Sequence, residues 1–334
     1  MTDALVNAVL ESWSGRWRSA AFGAATMFWL TSATIYLLLH GISPTVCKDP
    51  AYKPIWCHAD VQPSIAVTGP LVAVAVVIGS ALLANRLAPG VFDILTGGSW
   101  LRRRWLWPIA WLGCQWRHWR RNRLNLAVTT PHSNPTVNWL RQVRRHRHEW
   151  LLRNRYPRGP VVLPTRIGNS FHSVDQRVHL MYGLDLESTW GPLVAVLPEE
   201  SRKSLTDQST VIVLRVQALI FALATPAWAL LLLDGHASPV PAGIIWLAVA
   251  IVAAVLAVSA RGVASASDEY ADLALTIVRL HRMRLYDALG FARPTTDTIE
   301  RVAGQRLTSY LLSQQTGPVE FAWTTRDDPQ TDEP

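Results

Sequence analysis

Four long apolar runs dominate the hydrophobic pattern of this 334-residue chain. They cover residues 21–39, 65–84, 211–233 and 242–260. Each has close to the roughly 20 apolar residues that an α-helix needs to cross a hydrocarbon core of about 30 Å. Only the third contains an ionisable residue, Arg215, near one end. A buried core helix could explain one such run, but four in one chain predict a membrane protein with four transmembrane helices.

The composition supports this interpretation. Charged residues make up 17% of the chain, whereas they make up about 25% of a typical soluble protein. Arginine far outnumbers lysine, which indicates a GC-rich genome and leads us to expect a bacterial, actinobacterial source. The first apolar run follows Arg16 and Arg18, as a secretory signal would, but it is too long and no small-residue cleavage site follows it. We therefore expect an uncleaved membrane anchor.

The distribution of arginine predicts the orientation in the membrane. Between residues 101 and 158 the only acidic residue is Glu149. The same tract contains Arg102, Arg103, Arg104, Arg117, Arg120, Arg121, Arg123, Arg141, Arg144, Arg145 and Arg147. Because positively charged flanks stay on the cytoplasmic side, we expect this tract and both termini in the cytoplasm, with the spans in the bacterial cytoplasmic membrane. The external loops then fall near residues 40–64 and 234–241.

These features predict an all-α fold in which four transmembrane helices form two hairpins, with a cytoplasmic helical domain between and after them. We expect an N-terminal interfacial helix and the first hairpin in residues 1–90, and a basic, tryptophan-rich helical region in residues 91–197. Residues 198–290 are expected to form the second hairpin with long cytoplasmic extensions. A cytoplasmic helix and a disordered tail, rich in Pro, Thr, Asp and Glu, are expected in residues 291–334.

Local signals predict the start and the packing of the spans. Pro198, followed by Glu199 and Glu200, is typical of a helix start, so a helix is expected to run from there directly into the third span. Pro226 predicts a kink in that span. Small residues such as Gly23 permit close packing of helices, either within one chain or between copies in a homo-oligomer.

The first external loop contains the sequence CKDPAYKPIWC, which begins at Cys47 and ends at Cys57. Because the compartment outside the membrane is oxidising, we favour a disulfide between these two cysteines. Two free thiols are the alternative, and a metal site that includes His58 is disfavoured because no fourth ligand is evident. Cys114 lies on the predicted cytoplasmic side, where it has no partner cysteine.

The segment WLWPIAWLGCQW lies between two arginine clusters after the second span. Its twelve residues form a helix of about 18 Å, which is too short to cross the membrane. Tryptophan favours the headgroup boundary, so we predict a membrane-surface helix on anionic headgroups. An acidic protein partner is the alternative, and nucleic acid is disfavoured because no binding module surrounds the segment. The predicted surface residues are Arg102, Arg103, Arg104, Trp105, Trp107, Trp111, Trp116, Arg117, Trp119, Arg120 and Arg121.

The polar stretch PTRIGNSFHSVDQRVHLMYGLD, residues 164–185, stands out from its apolar surroundings. Asn169 is interpreted as a possible N-cap, followed by a helix through residue 182 that Gly183 ends. Asp185 can start the next element. The predicted apolar face of this helix consists of Phe171, Val174, Val178 and Met181.

Several polar side chains of this stretch could form a site. They are Arg166, Asn169, His172, Asp175, His179 and Asp185. The helical spacing of His172, Asp175 and His179 is compatible with a metal site or a His–Asp acid–base pair. The two histidines are, however, about 10.5 Å apart along the axis, which is too far for one metal ion. We therefore favour a charged surface and expect no cofactor, metal or catalytic residue here.

The chain resembles a family of bacterial multi-pass membrane proteins over roughly residues 155–315. The likeness rests on the segments LPTRIGN, YGLD, WGPL, VLPEESR and RLYDALGF and on their order around a pair of spans. These segments carry no established reaction. The resemblance implies a membrane topology and identifies the polar stretch as a folded cytoplasmic connector.

The pattern as a whole favours a non-catalytic membrane protein whose cytoplasmic helical domain binds an unidentified protein partner, as a scaffold, sensor or effector. An oligomeric pore is an alternative, because the first span contains modestly polar residues. These are Thr26, Thr31, Ser32 and Thr34. A transporter subunit is less favoured, since no ionisable residue lies near the middle of a span. A membrane enzyme is also disfavoured, because no convergent site is evident.

Overall fold

The computed structural model describes residues 5–6, 18–40, 63–97, 100, 107–129, 139–226, 242–314 and 321. Over these residues the chain is helical, with connecting turns and no strand, which confirms the all-α class. Nine helices are described in this part of the chain. They are α1 Arg18–His40, α2 Pro63–Thr96, α3 Trp107–Thr129, α4 Trp139–Arg155, α5 Arg166–Tyr182, α6 Leu186–Ala195, α7 Glu199–Ala224, α8 Ala242–Ala288 and α9 Asp297–Leu311.

Three helical segments, and not four, are long and apolar enough to cross a membrane among the described residues. They are Leu71–Thr96, Glu199–Ala224 and Val249–Ala288. The first predicted span forms α1, but its side chains are described only over residues 22–34, fewer than the roughly 20 that a span needs. The three segments support a membrane-embedded protein. Cys47 and Cys57, with the loop that they bound, lie outside the described residues.

The chain divides into two compact units. The polar unit, as we name it, comprises residues 1–12, 93–209 and 266–334, and the apolar unit comprises residues 13–92 and 210–265. Helices α3, α4, α5, α6 and α9 lie in the polar unit. The chain passes from one unit to the other within α2, α7 and α8.

Small residues bring the helices of the apolar unit together. Ala25 of α1, Ala81 and Ala84 of α2, and Phe221 of α7 form one buried cluster. The ring centroids of Phe28 and Phe221 are 5.5 Å apart. Small side chains let helix backbones approach closely, which is how helices pack in a lipid environment, where apolar burial gives little advantage.

Four hydroxyl groups among the described side chains of α1, residues 22–34, form hydrogen bonds within the helix itself. Each donates a hydrogen bond to a backbone carbonyl four residues earlier, at distances of 2.8 to 2.9 Å. The donors are Thr26, Thr31, Ser32 and Thr34. Their polarity is therefore satisfied locally, as is common for hydroxyl side chains in helices.

Helix α7 starts as predicted, and it is described as far as the first part of the third predicted span. It begins at Glu199, directly after Pro198, with Glu199 and Glu200 in its first turn. The α-helix ends at Ala224 and a single 3₁₀ turn continues to Pro226. Proline lacks the backbone N–H and disfavours α conformation in the residue before it, which explains the change to a 3₁₀ turn. The rest of the third predicted span, residues 227–233, lies outside the described residues, so the kink at Pro226 stays a prediction.

Candidate functional site

Pro164 packs into a position that two glycines leave open. A Cβ atom on Gly113 of α3 would lie 2.8 Å from the Cβ of Pro164, and one on Gly97 would lie 2.9 Å from its Cγ. Gly97 also has a φ of 79°, a conformation that favours glycine. The proline of the PTRIGN sequence therefore fits directly against α3 and the turn that follows α2.

Thr165 caps helix α5, which starts earlier than the sequence predicts. Its hydroxyl oxygen accepts a hydrogen bond from the Gly168 amide at 3.1 Å and donates one to the Thr96 carbonyl at 2.8 Å. The helix therefore begins at Arg166, and not at Asn169. A Cβ atom on Gly168 would overlap the Thr96 carbonyl oxygen. Close approach of these two backbones thus requires glycine at this position.

Asn169 is a buried residue inside α5, so its predicted role as an N-cap is wrong. Its side-chain oxygen accepts from the Leu163 amide at 2.9 Å. Its side-chain nitrogen donates to the Leu163 and Thr165 carbonyls, each at 2.6 Å. The amide therefore satisfies backbone groups of the segment that leads into the helix, which would otherwise be buried without partners.

Arg166 belongs to an ionic network around Asp268 of α8. Its Nη2 lies 2.5 Å from Asp268 Oδ2, and the hydroxyl of Ser170 donates to the same carboxylate. Arg155 Nε, at the end of α4, is 3.6 Å from Asp268, and Arg155 also makes two hydrogen bonds to Asp272, at 3.2 and 2.7 Å. Asp268 and Arg155 are buried, so the loss of either side chain would leave the other as a buried charge without part of its compensation. The network joins α4, α5 and α8.

This network has a clear structural role. Both carboxylate oxygens of Asp268 are already engaged, one by the Ser170 hydroxyl and the other by Arg166 and Arg155. Sequence reasoning missed Arg155, Asp268 and Asp272. The two aspartates stand four residues apart just after the fourth apolar run, so they share one helix face, and that was the available signal.

The remaining polar residues of α5 separate into different environments. His172 is half-buried, and burial lowers the pKa of its imidazole. Burial and, next, the negative charge of Asp185 raise the pKa of Asp175 to about 7. His179 is exposed. Thus Asp175 and Asp185 are close, whereas Arg166 and Asn169 contact other groups. Within the described residues, no group of three or more His, Cys, Asp and Glu is placed to hold a metal ion.

Helix α9 packs against the YGLD sequence, residues 182–185. Gly183, with a φ of 71°, ends α5 as predicted, and a Cβ atom there would overlap the Arg301 carbonyl oxygen of α9. A Cβ atom on Gly304 of α9 would overlap the Tyr182 carbonyl oxygen. Asp185 accepts from the Ser188 amide at 3.2 Å as the predicted cap of α6, and its own amide donates to Thr308 at 3.1 Å.

The buried side of α5 differs from the prediction at one position. Phe171, Val174 and Val178 are completely buried, as predicted. Met181 is 41% exposed, so its predicted place in the apolar face is wrong. Tyr182 is buried in its place, and the guanidinium of Arg282 lies 4.5 Å from its ring centroid. The ring of Tyr182 thus faces the α8 side of the unit, which periodicity alone does not reveal.

Helix α3 directs its tryptophans outward. The exposed aromatic face, as we name it, has large side chains on the surface of the polar unit. These are Trp107, Ile109, Trp111, Leu112, Trp116, Trp119 and Leu126. The rings of Trp116 and Trp119 stack with centroids 5.2 Å apart, and the guanidinium of Arg123 lies 4.7 Å from the Trp119 ring. Arg102, Arg103, Arg104 and Trp105 lie outside the described residues.

Two arginines of α3 turn inward instead. Burial lowers the pKa of Arg117, whose guanidinium also forms a hydrogen bond with the side chain of Tyr156. Arg121 Nη1 donates to the Gly159 carbonyl at 2.8 Å. The helix extends from Trp107 to Thr129, so it continues well past the twelve-residue segment from which it is predicted. The arginine side chains form hydrogen bonds with a carbonyl and a hydroxyl group of the unit, and apolar rings occupy the outer side of the helix.

Comparison with models of protein families, with curated proteins and with solved structures found no match. The resemblance to bacterial multi-pass membrane proteins therefore stays an expectation. The geometry supports one candidate interface, the exposed aromatic face of α3, and one structural network, around Asp268.

Proposed function

We propose that this chain is a non-catalytic multi-pass membrane protein whose polar unit lies against anionic lipid headgroups through α3 and binds a protein partner in the cytoplasm. The observation that carries this proposal is the reversed orientation of α3. A surface helix of a globular unit normally buries its apolar side and exposes its charges. In α3 the large apolar side chains are exposed while Arg117 and Arg121 are turned inward.

An apolar environment outside the unit accounts for this orientation. Contiguous exposed apolar side chains mark a surface that contacts a partner or a membrane. Tryptophan rings favour the boundary between headgroups and acyl chains. The exposed arginines Arg120 and Arg123 can reach lipid phosphates, where each is worth on the order of 1 kcal/mol near an anionic leaflet. In the sequence, only residues 97–106 separate α3 from the candidate span Leu71–Thr96.

The polar network supports a binding unit over an enzyme. The polar groups of PTRIGN and YGLD contact backbone groups or ion partners that join α4, α5, α8 and α9. These contacts explain why polar residues are concentrated here without requiring a reaction. A helical scaffold attached to membrane spans is suited to holding a cytoplasmic partner near the bilayer.

The proposal also includes the number of spans and their orientation in the membrane. We propose four spans in two hairpins, both termini in the cytoplasm, and a disulfide between Cys47 and Cys57 in the first external loop. The first apolar run and the arginine-rich tract between the hairpins support this arrangement. In intact cells, an impermeant thiol reagent should label single cysteines introduced by Lys48→Cys or His236→Cys, and not by Thr130→Cys or Glu320→Cys. External labelling at position 130 would contradict the topology.

The lipid contact can be tested with the full chain in vesicles. A fluorophore on Leu112→Cys, in a background with Cys47, Cys57 and Cys114 replaced by Ser, should be quenched by spin-labelled lipids when the vesicles contain phosphatidylglycerol. A label on Gln305→Cys of α9, an exposed residue on a helix that packs against α5 and α6, is the control. Equal and weak lipid quenching of both labels would contradict the proposal. Ion conductance by the same vesicles would instead support the pore alternative.

A further inference from the structure

We infer that α4 provides a second contact with anionic lipid, next to that of α3. This inference rests on the proposed function. Trp139, Val143 and Trp150 of α4 are 71%, 54% and 48% exposed. They stand at positions i, i+4 and i+11, which lie on one face of a helix. From the sequence, the second arginine-rich run, residues 141–158, is expected to be a solvated helix face over the same headgroups. The exposed tryptophan stripe is what the structure adds to that expectation.

Positive charge borders the stripe on both sides. The helical period places Arg153 on one flank and Arg147 on the other, and both side chains are exposed. The one acid of this helix, Glu149, accepts from Arg145 at 3.1 Å and lies 3.8 Å from His146. Glu149 is thus close to Arg145 and His146, and the ion pairs described for it do not include the two flanking arginines. Arginine side chains extend along apolar surface while their guanidinium groups reach an anionic partner.

The C-terminal end of α4 is fixed within the polar unit. The buried Arg155 lies 3.6 Å from Asp268 of α8, and its guanidinium also lies 4.9 Å from the ring centroid of Trp150. The carbonyl of Asn154 accepts a hydrogen bond from Ser173 of α5 at 2.9 Å. These contacts determine which side of α4 faces outward. The tryptophan stripe therefore cannot turn into the unit without breaking them.

A lipid surface is the occupant that fits both helices. Helix α4 packs against α3, so the stripe belongs to a helix next to the one whose exposed aromatic face we propose to contact lipid. Tryptophans flanked by arginine are typical of helices that lie in the headgroup region. Stacking of nucleobases would instead require aromatic rings along an open basic groove. An acidic protein would need complementary packing with both tryptophans, and lipid requires none.

Site-specific quenching in the full chain tests the inference. A fluorophore on Val143→Cys, in the background without native cysteines, is compared with one on Arg145→Cys on the other side of α4. In vesicles with phosphatidylglycerol, we expect several-fold stronger quenching by headgroup-proximal spin labels at position 143. Aqueous iodide should show the opposite preference. The difference should shrink in phosphatidylcholine vesicles and at high salt, because screening weakens the attraction.

The outcomes separate this inference from the proposed function. If the Leu112→Cys label on α3 contacts lipid and the Val143→Cys label does not, only the inference about α4 fails. If neither label contacts lipid, the proposed function fails as well. Protection of the Val143 label by added single-stranded nucleic acid or an acidic protein, without quenching by lipid, would also overturn the inference. Matching thermal unfolding of the two α4 variants confirms that both are folded.

Discussion

Helices α3 and α5 both combine apolar and charged residues, yet they orient them in opposite ways. In α5, Phe171, Val174 and Val178 are completely buried. In α3, the tryptophans are exposed, whereas Arg117 and Arg121 turn inward. The difference shows that the composition of a helix does not determine which side it buries. The orientation depends on the groups against which each helix packs. Helix α5 packs against apolar residues, whereas α3 packs against carbonyl groups to which arginine can donate hydrogen bonds.

The largest expected contrast compares one aromatic residue from each helix. Phe171→Ala should lower the free energy of unfolding by about 3–5 kcal/mol, because it opens a cavity in a closed core. Trp111→Ala should change it by less than about 0.5 kcal/mol in detergent, since the ring is exposed. Denaturant unfolding of both variants in the same detergent measures the difference. Equal losses would show that the Trp111 ring is packed within the protein.

The ionic network should respond almost as strongly. Asp268→Asn leaves Arg155 without part of its buried counter-charge and should destabilise the polar unit by about 3 kcal/mol. The neighbouring exposed acid provides the control: Glu269→Gln retains a group that can contact Gln208 and should be nearly neutral. Thermal unfolding of the two variants makes the comparison. Similar midpoints for both would show that the network does not stabilise the unit.

Close backbone contacts should give an intermediate effect. Gly304→Ala places a Cβ atom against the Tyr182 carbonyl oxygen and should destabilise the docking of α9 by about 2 kcal/mol. Gly191→Ala in α6 has open space around the new atom and should be neutral or slightly stabilising. Hydrogen exchange in α9 reports the effect. Unchanged protection in Gly304→Ala would mean that α9 can shift without loss.

The last comparison concerns the pH dependence of stability, which we attribute to one carboxyl group. Burial and the charge of Asp185 raise the pKa of Asp175 to about 7, above its ordinary value of 3.8. The folded state thus holds this proton more tightly than the unfolded state, so stability falls as the pH rises from about 4 to about 7. Asp175→Asn should remove this dependence and leave the fold intact. A variant that loses stability equally at pH 5 and pH 8 would contradict this assignment.

Local signals in the sequence predicted much of the fold correctly. Gly183 ends α5, Asp185 caps α6, and Glu199 follows Pro198 at the start of α7, because capping and proline effects depend on neighbouring residues alone. The helical period also predicted that Phe171 is buried. These features require no knowledge of the tertiary structure.

The remaining features depend on partners that are distant in the chain. Arg166 and Asp268 form a pair across 102 positions, and no local pattern connects them. Asn169 was misassigned because its hydrogen bonds go back to Leu163, outside the helix. The inward orientation of Arg117 depends on Tyr156, which a later segment supplies. The burial of such a polar residue cannot be predicted from the sequence of its own helix, because it depends on how the helices pack against one another.

The central claim is that the aromatic face of α3 lies in an anionic lipid interface. A nitroxide scan of residues 109–126 in phosphatidylglycerol vesicles tests it most directly. The ratio of oxygen to aqueous nickel-chelate accessibility should vary with the helical period. We predict maxima at Leu112, Trp116 and Trp119 and low accessibility to both reagents at Ala110 and Arg121. A uniform aqueous accessibility of the exposed positions, with no lipid contact at Leu112 or Trp116, would contradict the proposed membrane surface.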